Sequence, residues 1–261
     1  MRRGAGTAPL LLAVAALAFG GCGGDDDGGS GDRDLLVSAA TSLKSAFTVY
    51  AERFDAANVQ LSFAGSDELA AQIRQGARPD VYAAANTKLP GALLAEGLVE
   101  RPRAFTANTL VLVVPAGARG DGGDGVRSLD DLTREGVTIA IGAGSVPIGA
   151  YTRTVLDRLG AARRAAILAN VRSTEPDVGG IAAKLTQGAV DAGFLYATDV
   201  VASGGRLRAI ELPARLRPRA AYAVAVVKGA EHRAAARAFV AGLLDGAGER
   251  ALREAGFRSP R

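Results

Sequence analysis

Residues 35–76 read LLVSAATSLKSAFTVYAERFDAANVQLSFAGSDELAAQIRQG, and the order of patterns within them decides the fold class. The apolar run 35–40 (LLVSAA) is strand-like. Residues 42–58 place Leu43, Phe47, Tyr50 and Phe54 three and four positions apart, which is the face of a helix. Residues 59–64 (VQLSFA) repeat the strand, and 66–76 (SDELAAQIRQG) repeat the helix, with acids in its first turn and a glycine at its end. Strand, helix, strand and helix in close succession mark an α/β protein with mostly parallel sheets.

The same alternation continues outward. Residues 80–85 (DVYAAA) predict a third strand, 91–97 a short helix, and 109–114 (TLVLVV), closed by Pro115, a strand buried on both faces. Residues 116–125 (AGARGDGGDG) are a glycine-rich surface loop. A second set follows: a short helix at 128–133, a strand at 137–142 (VTIAIG), an amphipathic helix at 149–159 and another helix at 179–188. Strands at 191–196 (DAGFLY) and 221–227 (AYAVAVV) precede closing helices at 233–244 and 249–256. The two sets span about a hundred residues each, an ordinary domain size.

Upstream, Arg2 and Arg3 precede the apolar run 10–19 (LLLAVAALAF), which is shorter than the about 20 residues of a membrane span and reads as a signal peptide. The run ends in LAFGGC, similar to a lipoprotein signal in which cleavage precedes a lipid-modified cysteine, here Cys22. The following GGDDDGGSGDR has nothing to bury and behaves as a tether. The expected organisation is a leader at 1–21 and a lipid-anchored tether at 22–33, held at the membrane by more than one acyl chain.

Composition excludes several functions. The chain has 261 residues, with 31 Lys and Arg against 27 Asp and Glu, a net charge of +4 that falls to +2 once Arg2 and Arg3 leave with the leader. No clustered basic stripe is present, so nucleic acid is not an expected partner. One cysteine makes no internal disulfide, and one histidine, His232, excludes a zinc site built from several His or Cys ligands. His232 lies in a polar segment (KGAEHRAA) and reads as a solvated surface residue. No serine sits in a G-x-S-x-G elbow, and 142–149 (GAGSVPIG) is neither G-x-G-x-x-G nor a P-loop with its lysine. No enzyme is expected, and no cofactor.

Four segments share one design, a strand or loop followed by a small or hydroxyl residue and the start of a helix: AATSLK (39–44), FAGSDE (63–68), GSVPIGAY (144–151) and EPDVGG (175–180). Helix starts leave backbone N–H groups without intrahelical partners, and with the helix dipole these favour an anion. Ser42 and Ser66 can add hydroxyl donors, and Tyr196 ends a strand where its phenol can add another. Taken singly, each segment is an ordinary N-cap. The acids at the same helix starts, Asp67, Glu68, Glu175 and Asp177, leave open a metal coordinated by carboxylates.

At this level the chain resembles the molybdate-binding subunits of ABC importers. The likeness is carried by AATSLKSAF, FAGSDELAAQIRQGARPDVYAAA, NTLVLVVP, IAIG with VPIGAY, DVGGIAAKLTQGAVDAGFLYATDV and AFVAGLLDGAGERALREAGF, in order from about Leu35 to Phe257. The paired serine segments and the G-x-x-D-A-G-x-x-Y strand are its most specific parts. The resemblance implies a two-lobed class II periplasmic-binding-protein fold, with one lobe formed by 34–107 and 220–261 and the other by 108–219. It also implies a cleft that closes over molybdate or tungstate without a cationic side chain. Position by position it assigns the ligand to Ser42, Ser66, the backbone N–H of Ile148 and Val178, and Tyr196. Ile148 stands where the family has alanine. The implied partners are the oxyanion and an ABC permease, with the protein a monomer. Another small oxyanion is the alternative ligand.

Overall fold

The structure is a computed structural model that describes residues 34–117 and 125–260. The expected leader, the tether with Cys22, and 118–124 of the glycine-rich loop lie outside the described residues.

Strand β1 (Asp34–Ala40) runs through a 3-10 turn (Thr41–Leu43) into helix α1 (Lys44–Glu52). Strand β2 (Asn58–Ala64) leads into α2 (Ser66–Arg74), and β3 (Val81–Ala84) into α3 (Lys88–Ala95) and β4 (Arg103–Asn108). The second set holds β5 (Leu110–Pro115), β6 (Ile139–Gly142), α4 (Pro147–Asp157), α5 (Ala161–Ala169), β7 (Val171–Glu175) and α6 (Val178–Thr186). It continues with β8 (Ala192–Tyr196), α7 (Ala197–Ala202) and β9 (Leu207–Ile210). The chain then returns through β10 (Ala220–Val226) to α8 (Arg233–Leu244) and α9 (Ala247–Glu254).

Two five-stranded sheets result, ordered β2-β1-β3-β10-β4 and β7-β6-β8-β5-β9. The orders match if β6, β7, β8 and β9 stand for β1, β2, β3 and β4. In each sheet the reversed strand, β10 or β5, is the one that arrives from the other sheet, and it runs antiparallel to both neighbours. The sheets are thus mixed: four strands of each run one way, yet every pairing made by β5 or β10 is antiparallel.

The sheet containing β3 carries an apolar layer on each face. Because side chains alternate along a strand, Val81 and Ala83 join the layer with Phe47 and Phe239 of α1 and α8, while Tyr82 and Ala84 join Leu69, Ile73 and Leu93 of α2 and α3. Each fully buried Val, Leu, Ile or Phe among them contributes about 1.5–3 kcal/mol. In the other sheet Leu110 to Val114 are all buried, as a strand between two neighbours with covered faces requires.

Strands β4, β7 and β9 and helices α5 and α7 are absent from the sequence reading. All three strands lie at sheet edges. The burial of β7 runs only between intermediate and exposed, so its sequence VRSTE carries no apolar alternation to detect. Helix α3 starts at Lys88 rather than 91, because Pro90 is tolerated in a first turn whose N–H groups need no partner. Helix α1 ends at Glu52, short of Phe54, whose ring still packs edge-on against Tyr50 and Phe239 at 5.7 and 5.3 Å. The helix expected at 128–133 is a 3-10 turn, Asp131–Thr133. His232 is not solvated: its ring is 15% exposed, Nδ1 lies 3.3 Å from Asp80, and its backbone N–H donates to Asp80 at 2.8 Å.

Candidate functional site

Five strands, two from one sheet and three from the other, end around one cavity. Beyond the C-terminal ends of β1, β2, β6 and β7 come the 3-10 turn, α2, α4 and α6, and β8 ends there at Tyr196. Ligands in open α/β sheets collect at such ends, where loops and helix N-termini converge. Ser42, Ser66, Ile148, Val178 and Tyr196 all line one cavity of about 20 Å³. About 10–15 Å³ measured in this way holds one water, so the space admits one small ion and excludes a sugar or a peptide. Its lining among the described residues includes no Lys, Arg or His. A wider groove of about 710 Å³ beside it shares Thr41, Ser42 and Val178, but it is lined also by Lys44 and Arg206 and not by Ser66, Ile148 or Tyr196.

The local geometry leaves each donor its proton. The Ala85 N–H donates to Ser66 Oγ at 3.1 Å, so the serine oxygen is already an acceptor and its own O–H is left to point elsewhere. The Tyr82 hydroxyl donates to the Ser66 carbonyl at 2.6 Å and fixes the residue further. Ser42 Oγ and Tyr222 OH lie 2.9 Å apart, and Tyr222 donating in this pair leaves the Ser42 proton for a ligand. Val178 opens α6, and the Asp177 side chain before it caps the Gly180 N–H at 2.9 Å, leaving the Val178 N–H uncapped. Pro147 begins α4 and has no N–H, so Ile148 carries that helix's first donor.

The isoleucine fits because glycine stands opposite. A Cβ on Gly142 would lie 2.6 Å from Ile148 Cγ2 and 2.7 Å from the Gly149 nitrogen, while one on Gly149 would overlap the Ala143 carbonyl oxygen. Strand β6 and the start of α4 therefore pack backbone against backbone, which places the Ile148 N–H.

Tyr196 is fully buried, and its hydroxyl has no hydrogen-bond partner among the described residues. Its ring meets Tyr151 and Tyr222 edge-on, with centroids 6.4 and 5.7 Å away. Burial holds the phenols of Tyr196 and Tyr222 well above their ordinary range, so both stay protonated. Desolvation also pushes the Asp199 carboxyl, which accepts the Tyr196 N–H at 3.0 Å, up to about 7.

The acids do not assemble into a metal centre. Asp177 alone of Asp67, Glu68, Glu175 and Asp177 lines the cavity. Glu175 accepts from Ser173, Glu68 from Gln72, and no group of three metal-ligating side chains is present among the described residues. Tyr222 and Thr41 are the participants that sequence reasoning missed. Tyr222 sits in AYAVAVV, which reads as core strand, and no local signal distinguishes it.

Known proteins share this frame. A family model described as bacterial extracellular solute-binding protein matches residues 35–258. The molybdate-binding protein ModA of Mycobacterium bovis is 36% identical over 262 residues, covering 96% of this chain and 97% of that protein. The ModA of Escherichia coli is 30% identical over 233 residues, covering 84% and 86%. In fold, the periplasmic molybdate-binding protein of Azotobacter vinelandii is similar with a TM-score of 0.76 at 21% identity, covering 87% of this chain and 100% of that one. With the two-lobed fold, the converging helix starts and these matches in agreement, the chain belongs to the bacterial extracellular solute-binding proteins, transport components that carry a solute and do not transform it.

Proposed function

We propose that the protein captures molybdate or tungstate in this cavity and delivers it to an ABC import permease. The observation that carries the reading is the buried, unpartnered Tyr196 hydroxyl beside four other donors in a cavity lined without a cation. Ser42 Oγ, Ser66 Oγ, the N–H groups of Ile148 and Val178, and Tyr196 OH are the assigned ligands. A hydrogen bond to a charged acceptor is worth about 1.5–3 kcal/mol net. Five of them sum to about 7.5–15 kcal/mol, against the about 8 kcal/mol of micromolar binding, and closing and ordering the lobes takes back part of that sum. Neutral donors also release the ion when the cleft opens.

A set composed of donors favours an unprotonated dianion. Hydrogen phosphate needs an acceptor for its proton, and the carboxylate on the lining, Asp177, is already engaged by Gly180 and Thr41. Size separates the remaining oxyanions, since molybdate and tungstate have longer bonds to oxygen than sulfate has. We further read 34–107 with 220–261 as one lobe and 108–219 as the other, in keeping with strand membership of the two sheets. Cys22 is read as the lipid attachment point of a monomer held at the membrane by the tether 22–33.

Thermal unfolding with molybdate, tungstate, sulfate and phosphate in turn tests this. A ligand at about a hundred times its dissociation constant adds about 2.7 kcal/mol, which raises the melting temperature by about 5–10 °C for a domain of this size. Molybdate or tungstate is expected to give that rise, and Ser66→Ala to abolish most of it. A panel in which no anion moves the midpoint ends the proposal. Tyr196→Phe has a two-sided expectation. Affinity falls about 10- to 150-fold for one lost charge-assisted bond, while the ligand-free protein melts higher, because a buried hydroxyl without a partner costs about 1–3 kcal/mol. Lower melting with unchanged affinity would reduce Tyr196 to a core residue.

A further inference from the structure

Beside the donors, a side-chain hydrogen bond joins the two halves of the cleft. Thr41 lies in the turn after β1, and its Oγ1 donates to Asp177 Oδ2 at 2.8 Å. Asp177 precedes α6, which belongs to the other sheet, and its Oδ1 accepts the Gly180 N–H at 2.9 Å. One carboxylate therefore caps a helix in its own lobe and holds a hydroxyl from the opposite lobe. The surroundings are as close as the bond. A Cβ on Gly179 would lie 3.3 Å from Thr41 Cγ2, and one on Gly65 would lie 2.6 Å from the Pro176 carbonyl oxygen.

We propose that the Thr41–Asp177 hydrogen bond is the latch of the closed cleft, a pair that positions the lobes and sets how long the ion stays. The proposal rests on the reading of the cavity as an oxyanion site. Thr41 and Asp177 both line the cavity, and Asp177 is next in sequence to Val178, so an unengaged carboxylate there would repel a dianion. The two hydrogen bonds occupy both of its oxygens and hold its charge in place. Thr41 thus has two effects at once, tying the lobes together and keeping the one acid on the cavity wall turned to its own partners. Opening the cleft breaks the Thr41 bond but leaves the Gly180 cap, since that cap lies within one lobe. The latch therefore acts on closure and not on the folding of either half.

The test compares wild type with Thr41→Val, which keeps shape and loses the hydroxyl, and with Thr41→Ser, which keeps the hydroxyl. Molybdate retained after rapid desalting gives the dissociation rate, and calorimetric titration gives the affinity. The expected result for T41V is dissociation about tenfold faster, equivalent to about 1.4 kcal/mol, with the association rate unchanged and ligand-free melting lower by at most about 3–6 °C, the same free energy. T41S is expected to restore the wild-type rate. An unchanged dissociation rate in T41V, a T41S as fast as T41V, or a fall in ligand-free melting of more than about 6 °C overturns the latch. If wild type retains no molybdate, the oxyanion reading fails by itself, and the latch is judged by small-angle scattering of the ligand-free proteins. There T41V must show a larger radius of gyration than wild type and T41S, and equal radii overturn it.

Discussion

Replacing Gly65 by alanine is expected to weaken capture of the ion by about a hundredfold or more while both lobes stay folded. Gly65 precedes α2 with φ −58° and ψ 137°, a conformation that alanine adopts without strain. The obstacle is across the cleft, where the new Cβ would lie 2.6 Å from the Pro176 carbonyl oxygen and 3.6 Å from Val146 Cγ1. Both of these belong to the opposite lobe, so neither can yield by a change of rotamer on the Gly65 side. Relief comes when the lobes part by several tenths of an ångström. That displacement separates Ser42 and Ser66 from the donors of Ile148, Val178 and Tyr196, and the shell no longer closes on one ion. Two weakened charge-assisted bonds already account for a hundredfold. Alanine is a poorer N-cap than glycine by no more than about 1 kcal/mol, so ligand-free melting falls by at most about 2–4 °C. Calorimetric titration and ligand-free melting together make the check. Wild-type affinity in Gly65→Ala would show that the two lobes need not approach at this point.

Gly149→Ala is expected to damage the fold itself. Two effects compete at this first-turn position of α4. Alanine has the higher helix propensity, worth about 1 kcal/mol. Against it, the added Cβ overlaps the Ala143 and Gly142 carbonyl oxygens, which are backbone atoms at the end of β6. Overpacking against backbone costs about 3 kcal/mol or more, so the clash wins. Melting of the ligand-free protein should drop by about 6–12 °C, and the surviving folded protein should bind the ion poorly because the Ile148 N–H has moved. A G149A protein that melts at or above the wild-type temperature would mean that β6 and α4 are not in backbone contact.

These two glycines show where sequence reasoning stops. The repeating strand-to-helix starts were legible because they are local: Ser66 with its acids and its apolar spacing announces a helix, and VPIG announces another. The same local signals brought out Ser42 and Tyr196, the resemblance to molybdate-binding subunits added Ile148 and Val178, and all four line one cavity. Edge strands β7 and β9 were not legible because they bury too little to need an apolar pattern, and β4 because its buried end (FTAN) is half polar. The reversal of β5 and β10 was equally silent, because a strand buried on both faces reads alike in either direction. Thr41 and Tyr222 went unnoticed for a different reason. Their partners lie 136 and 180 residues away, and no spacing rule reaches that far.

The order of strands in the two sheets also governs the order in which they can form. The strands of the sheet β7-β6-β8-β5-β9 follow one another without interruption, so that sheet is complete once β9 has been made. The other sheet keeps a gap between β3 and β4 that β10 fills about 110 residues after β4 ends. Until then β3, buried on both faces in the finished protein, presents an unpaired apolar edge, the kind of surface on which chains aggregate. The lobe made first is therefore finished last, and its late strand β10 brings Tyr222 to Ser42. A chain stalled before β10 would lack both an interior strand of this sheet and the Tyr222 hydroxyl that lies against Ser42 in the proposed site.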